Sequence, residues 1–251
     1  MTIKSLARDA LEGLLQRFEY RLTDVKADPT GLADACARLK AGGFMPRTVL
    51  DVGVGRGTPW LYEAFPSARF ELFEALDSFR PLIEEATRGL DVATHYCALG
   101  AQRSTMSIQV DVQRPTSSTM ARYDHTYAQA AVGNGTLPTT IDKQVAVRTL
   151  DEFGPFAGPT LLKMDVEGYE AQVLKGAAQT LRTVDVIISE VSVARRTEAE
   201  LSLGAFLSLL ESLGFAAVNI AEIVSMGRGG PIAYMDLVFV RNDSSMRYGK
   251  G

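Results

Sequence analysis

Hydrophobic positions along this chain follow two rhythms, and the switch between them comes near Thr48. Upstream, Leu6, Ala10, Leu14 and Phe18 recur at helical spacing, and Leu32, Ala35, Cys36 and Leu39 do so again after Asp28-Pro29. Gly42-Gly43 closes the second helix, so residues 1–43 are expected to cap one end of the domain that follows. Downstream, short apolar runs alternate with amphipathic stretches. Strands are predicted at Thr48–Val52, Arg69–Phe73, Val92–Cys97, Thr160–Met164, Val184–Ser189, Phe215–Ile220 and Met235–Val240. Helices are predicted at Trp60–Ala64, Phe79–Arg88, Ala171–Leu181 and Glu198–Leu213.

Such alternation calls for parallel strands joined by right-handed crossovers, and near-continuous apolar runs fit a sheet covered on both faces. The fold class is therefore α/β, a mostly parallel sheet with helices on both faces. The last strand has no clear helix before it and could enter antiparallel. Residues 100–159 break the rhythm, being rich in Ser, Thr, Gly and Pro, with one hairpin strand predicted at Ser107–Val112. Insertions of that length are functional lids or plain surface excursions, and both readings stand. The expected organisation is a core domain over 44–243, an insertion at 101–158 acting as an acceptor lid, and a flexible tail at 244–251.

Composition narrows the classes. With 251 residues, 46% hydrophobic and 22% charged, the chain suits one large globular domain. A formal net charge of -4 gives no global reason to hold a polyphosphate backbone, so no nucleic-acid partner is expected. Cys36 and Cys97, the two cysteines, supply neither a disulfide framework nor metal-ligand spacing and read as small core residues in a reducing compartment. No apolar run is long enough to cross a bilayer, and Met1–Tyr20 lacks the apolar core of a signal peptide. A cytoplasmic protein is expected, with a homo-oligomer left open.

The chemistry gathers at strand ends. Val49-Leu50-Asp51-Val52-Gly53-Val54-Gly55-Arg56-Gly57 runs from an apolar strand into a glycine-rich turn and then a helix. Dinucleotide folds space these glycines at relative positions one, three and six. Here they fall at one, three and five, with an acid two residues before the first. Asp51 would repel a pyrophosphate but could receive the ammonium of an amino-acid moiety, directly or through water. S-adenosylmethionine (AdoMet) carries such an ammonium, beside a carboxylate and a sulfonium. A tight turn with no ligand is the plainer alternative. About twenty residues on, Phe73-Glu74-Ala75 ends the next strand with a carboxylate that could accept both ribose hydroxyls. Ala98 and Leu99 end the third strand with small apolar surface suited to an adenine ring. In Leu162-Lys163-Met164-Asp165-Val166-Glu167-Gly168, Lys163 and Asp165 point to one side of a strand. A lysine there is costly unless paired, and Asp165 and Glu190 are its candidate partners. The same two acids could hold a divalent ion, but no Asp-Asn pair follows at the fifth strand, and no metal is predicted.

Taken together, these segments resemble the FkbM-type AdoMet-dependent methyltransferases. The resemblance runs through the glycine loop, Glu74, Ala98-Leu99-Gly100, Ser117-Ser118-Thr119-Met120 and Thr149-Leu150-Asp151-Glu152-Phe153. It continues through Lys163 to Gly168, Lys175-Gly176-Ala177 and Ile188-Ser189-Glu190-Val191. It implies a Rossmann-like class I methyltransferase with a seven-stranded sheet whose last strand is antiparallel. It also implies O-methylation of a hydroxyl on a sugar, glycan or secondary metabolite. The implied cofactor contacts are Asp51, Gly53, Gly55, Gly57, Glu74, Ala75, Ala98, Leu99 and Asp165. Asp165, then Glu167, are the implied residues at the reaction centre, and Asp165 could equally be a pure cofactor ligand. Many relatives have Phe-Glu-Pro where this chain has Phe73-Glu74-Ala75, a change expected to loosen the turn. His125, in the insertion beside Tyr123 and Tyr127, is a candidate lid base or a solvated loop residue, whereas His95 reads as a satisfied core histidine. N- or carboxyl-methylation, and a non-catalytic nucleoside-binding protein, are the competing readings. A nicotinamide oxidoreductase is disfavoured by the glycine spacing.

Overall fold

Alternate residues of each central strand feed opposite sides of one sheet. In β1 (Thr48–Val52), Val49 joins one apolar cluster while Leu50 and Val52 join another. The same division runs through β7 (Thr160–Met164), where Leu161 faces one way and Leu162 and Met164 the other. On the first face lie α1 (Leu32–Ala41), α2 (Pro59–Ala64) and α3 (Arg80–Ala86), through Cys36, Leu39, Leu61 and Ile83. On the second lie α4 (Glu170–Lys175) and α5 (Leu203–Ser212), through Val173, Leu174, Phe206 and Leu210. A sheet covered on both faces must be apolar on both, as the continuous runs in the sequence require.

The computed structural model describes residues 31–111, 140–194, 197, 200–226 and 230–248. Gly31–Gly251 form one unit by their contacts. His125, Tyr123, Tyr127, the Ser117–Met120 segment and the first expected helix lie outside the described residues.

The remaining strands of the main sheet are β2 (Arg69–Phe73), β3 (Asp91–His95), β8 (Val184–Ser192), β9 (Phe215–Ser225) and β10 (Ile232–Arg241). The seven strands run in the order β3-β2-β1-β7-β8-β10-β9. β1 pairs in parallel with β2 and β7, β2 with β3, and β7 with β8. β10 alone runs antiparallel to both neighbours, β8 and β9. This is the Rossmann-like arrangement with an antiparallel last strand that the sequence led us to expect.

Three departures have local causes. A second sheet, in the order β4-β6-β5, is built from β4 (Ala98–Leu99), β5 (Ser104–Asp111) and β6 (Thr140–Arg148). β6 was not foreseen: its buried Val145 and Val147 alternate with exposed neighbours over only half its length, and Ile141 is exposed. The helix expected through Leu181 stops at Lys175 with Gly176 as its C-cap, at a point where the chain passes so close to Gly100 that a Cβ would lie 2.0 Å from the Gly100 carbonyl oxygen. The chain then restarts as a 3₁₀ turn at Thr180–Arg182, where Asp151 accepts from the Gln179 and Thr180 N–H groups at 2.9 and 2.8 Å. α5 begins at Leu203 rather than Glu198, since Ser202 is its N-cap and accepts from the Ala205 N–H at 3.3 Å.

Gly176→Ala is expected to destabilise the protein by about 1–3 kcal/mol, through forced separation of α4 from the β4 end. Urea denaturation of the purified variant measures it, and an unchanged midpoint would show that the approach of Gly176 to Gly100 leaves room for a methyl group.

Candidate active site

Parallel register places the first two functional groups opposite each other. β1 and β7 pair with Asp51 beside Lys163, so both side chains project from the same face of the sheet, the face that α2 covers. Lys163 Nζ lies 3.2 Å from Asp51 Oδ1 and donates to the Gly53 carbonyl at 2.7 Å. Tyr62, from α2, donates its hydroxyl to Asp51 Oδ2 at 3.2 Å. Asp51 is fully buried and Lys163 nearly so, at 0% and 6% exposure. Burial by itself would lower the Lys163 pKa, but the carboxylates of Asp51 and Asp165 outweigh it, so the ammonium titrates above its ordinary value. Burial, then the Asp51 charge, push the Tyr62 phenol up as well.

Above this pair sits the glycine loop. Gly53, Gly55 and Gly57 all have positive φ, at 78, 55 and 109°. At Gly53 the reason is close approach of backbone: a Cβ there would lie 1.8 Å from the Asp165 carbonyl oxygen. The Asp165 N–H in turn donates to the Val52 carbonyl at 3.0 Å, so the ends of β1 and β7 lock together. On the other side, Glu74 holds the loop to β2. Its Oε2 accepts from the Gly55 N–H and its Oε1 from the Leu76 N–H, both at 2.8 Å. The second bond closes the turn that a missing proline was expected to loosen. Glu74 is 7% exposed. Burial raises its pKa above the ordinary 4.5, and the two backbone donors offset part of that rise.

These strand ends enclose a cavity of about 380 Å³, within the range of small-molecule sites. Gly53, Gly55, Gly57, Glu74, Ala75, Ala98, Leu99, Asp165 and Glu167 all line it. Asp51 does not: it stands behind the wall, with Lys163 between it and the cavity. Lys163 was expected to pair with Asp165 and Glu190. Its main partner is Asp51, because the β1–β7 register sets them side by side, while Asp165 Oδ2 lies 3.9 Å away. Cys97 lines the cavity with a thiol that burial pushes up to about 11, so it is protonated at neutral pH. His95 stays out of the wall, stacked on Phe73 at 4.8 Å with Nε2 2.7 Å from Glu71 Oε2.

Sequence reasoning named Glu190 but missed Asp236 and Glu222, which stand with it at the far end of the cavity. The pairings Asp236↔Glu190 and Asp236↔Glu222 place them in one row across β8, β10 and β9. Asp165 continues that row one strand further, just past β7. An aspartate inside Tyr234-Met235-Asp236-Leu237-Val238 was the available signal, since an acid within an apolar strand needs a reason. Among the described residues, no group of three or more His, Cys, Asp or Glu side chains has metal-binding geometry. Nor does any described helix have the length and apolarity to cross a membrane.

The model of the methyltransferase FkbM domain matches residues 51–216, from Asp51 through the first residues of β9. The chain belongs to the FkbM methyltransferase family. The matched domain is an S-adenosylmethionine-dependent methyltransferase domain, built on the Rossmann-like sheet described above. Among solved structures, this methyltransferase is similar to methyltransferase FkbM from Methylobacillus flagellatus KT. The two are 15% identical with a TM-score of 0.46, over 77% of this chain and 43% of the other. The chain thus spans under half the length of that relative. It is also similar to magnesium protoporphyrin IX methyltransferase from Synechocystis PCC 6803, at 14% identity and TM-score 0.42, over 96% of this chain and 98% of that one. A third is 1,6-didemethyltoxoflavin-N1-methyltransferase from Burkholderia thailandensis, at 15% identity and TM-score 0.42, over 96% and 89% of the two chains. No curated protein sequence matches the chain.

Asp51→Ala in this methyltransferase is expected to cost roughly 3–5 kcal/mol of stability, because it strands the Lys163 ammonium in the interior. Since the Lys163 pKa is raised, its charged form persists at neutral pH, and the pair's contribution is lost only as pH climbs through that raised value. Asp51→Leu combined with Lys163→Met is expected to recover most of the loss in guanidinium denaturation. Equal destabilisation by the single and double variants would show that packing, not charge, is what Asp51 supplies.

Proposed function

We propose that this methyltransferase transfers the methyl group of AdoMet to a hydroxyl of a sugar, glycan or secondary metabolite. The observation that carries the reading is the row of Asp165, Glu190, Asp236 and Glu222 along the far end of the cavity. Carboxylates are hydrogen-bond acceptors, and a polyhydroxylated molecule presents the matching donors. A carboxylate acceptor would bring further negative charge to the same row, which favours the hydroxyl reading over carboxyl-methylation.

The residues present fit AdoMet. Each Glu74 oxygen already takes one backbone N–H and has acceptor capacity left for a ribose diol. Ala98 and Leu99 offer small apolar surface for adenine, and the loop from Gly53 to Gly57 lies toward the amino-acid end. Asp51 acts on that end through Lys163 and the Gly53 carbonyl rather than by contact. When bound, AdoMet supplies a methyl group already activated by its sulfonium, so the protein's task is placement and proton removal. Asp165, half-exposed at the β7 end, takes the hydroxyl proton or orients the hydroxyl, with Glu167 beside it in the same wall. Lys163 Nζ lies 3.9 Å from Asp165 Oδ2, which helps to fix where that carboxylate stands. A cytoplasmic setting suits the two free, buried thiols.

Transfer of labelled methyl from AdoMet to a panel of alcohols, amines and carboxylates tests the acceptor class. Label confined to amines would overturn it. Asp165→Asn is expected to lower kcat about 10²–10⁴-fold, the range for loss of a general base, with little change in the AdoMet Kd by calorimetry. Equal losses in both would make Asp165 a cofactor ligand. AdoMet affinity should fall on acidification, because protonated Glu74 loses acceptor capacity. The raised pKa starts this fall at a higher pH than the ordinary 4.5 of a glutamate. Glu74→Gln should bind more weakly and show no such transition.

A further inference from the structure

The loop Asp165-Val166-Glu167-Gly168 is held by more contacts than a strand-to-helix connection needs. The Val166 and Gly168 N–H groups both donate to a single oxygen, Oε1 of Glu170, at 3.1 and 3.2 Å. Glu170 opens α4 and is 7% exposed. At the loop's start, the Asp165 N–H is bonded to Val52 and its carbonyl fills the space beside Gly53. At its end, Gly168 has φ 95°, and a Cβ there would lie 2.6 Å from Glu200 Cγ and 2.8 Å from Thr197 Oγ1. Between these fixed points stands Glu167 with φ 52°, the one non-glycine residue of positive φ among those described.

That conformation is costly for a glutamate and natural for glycine. A residue stays in it only when its surroundings over-determine it, and such residues gather at functional sites. Glu167 lines the cavity beside Asp165. Glycine at this position would relieve the backbone and forfeit the carboxylate, so the strain is the consequence of having a carboxylate at this point of the wall.

We propose that Glu170 is a positioning residue: its carboxylate clamps the 165–168 loop and thereby holds Glu167 in the left-handed conformation that presents it, with Asp165, to the acceptor. The acceptor part rests on the reading given under Proposed function; the clamp itself does not. With the clamp gone, the loop relaxes toward ordinary negative φ at Glu167 and the two carboxylates lose their common aim, while the cofactor face built from Glu74 and the glycine loop stays in place.

The test uses the full chain with three variants, E170A, E170Q and E167G. Amide hydrogen exchange at Val166 and Gly168, melting temperature and AdoMet Kd need no acceptor. Label transfer from methyl-tritiated AdoMet into a pool of monosaccharides and polyols reads turnover. E170A is expected to speed exchange at both amides at least tenfold and to lower label transfer 10–100-fold, with the AdoMet Kd within about twofold, the range seen when a supporting hydrogen bond to a site residue is removed. E170Q keeps an acceptor oxygen for both N–H groups and should restore most of both signals. E167G should raise the melting temperature by about 2–4 °C, as relief of strain of this kind does in a domain of this size, while still losing label transfer. Wild-type exchange or turnover in E170A, or a kcat loss matched by an equal loss of AdoMet affinity, would overturn the proposal. If E170A does not fold, a lowered melting temperature in E167G overturns it instead, since the backbone is then not strained. Failure of wild-type enzyme to label any pooled hydroxyl sinks the acceptor class above, and exchange and melting still decide the clamp.

Discussion

A buried ion pair sets the frame of this molecule. Asp51 and Lys163 face each other on neighbouring strands in the middle of the sheet, within an apolar layer under α2. Removing two charges from water costs several kcal/mol per ion, and their attraction offsets this only with good geometry and further hydrogen bonds. Here the ammonium also donates to the Gly53 carbonyl, and the carboxylate also accepts from Tyr62. These bonds fix where the first residue of the glycine loop can lie. The loop therefore inherits its position from the interior of the sheet rather than from a ligand.

From that anchor the site follows by register. The sheet order passes from β2 through β1 to β7, so chain connections diverge on either side of β1 and leave a crevice at the carboxyl ends of the strands. On the β2 side stand Glu74, Ala98 and Leu99, which suit a nucleoside; on the β7 side begins the acidic row from Asp165 to Glu222. Two kinds of chemistry thus meet at the junction of β1 and β7, where Gly53 packs directly on the Asp165 carbonyl. The glycines of this motif are commonly explained by room for a ligand. At Gly53 the occupant is the protein's own backbone.

Reading the chain as a string captured the frame well and the partnerships poorly. The strand limits at Thr48–Val52, Arg69–Phe73 and Thr160–Met164 were legible because each is a short, mostly apolar run, as strands buried in a parallel sheet are. The glycine loop, Glu74 and Asp165 were legible because strand-end acids and glycines stand out against such runs. Glu170 was passed over: an acid in the first turn of a helix is ordinary, and its two bonds back to Val166 and Gly168 exist only once the loop is folded. β6 was passed over because its alternation is imperfect, and because it pairs along nearly its whole length with β5, a partner distant in the chain, and with β4 only at Ala98 and Leu99.

The sequence alone determined which residues are apolar at which period, and so the α/β class, the limits of β1, β2 and β7, and the family. These are local properties, set by side-chain chemistry and the geometry of one strand or helix. Only the tertiary structure decided that Lys163 belongs to Asp51, that Asp51 lies behind the cavity, and that Glu190, Asp236 and Glu222 form one row. Each of these depends on which strand lies beside which and in what register. That choice is fixed by the packing of the whole sheet, and no stretch of chain carries it by itself.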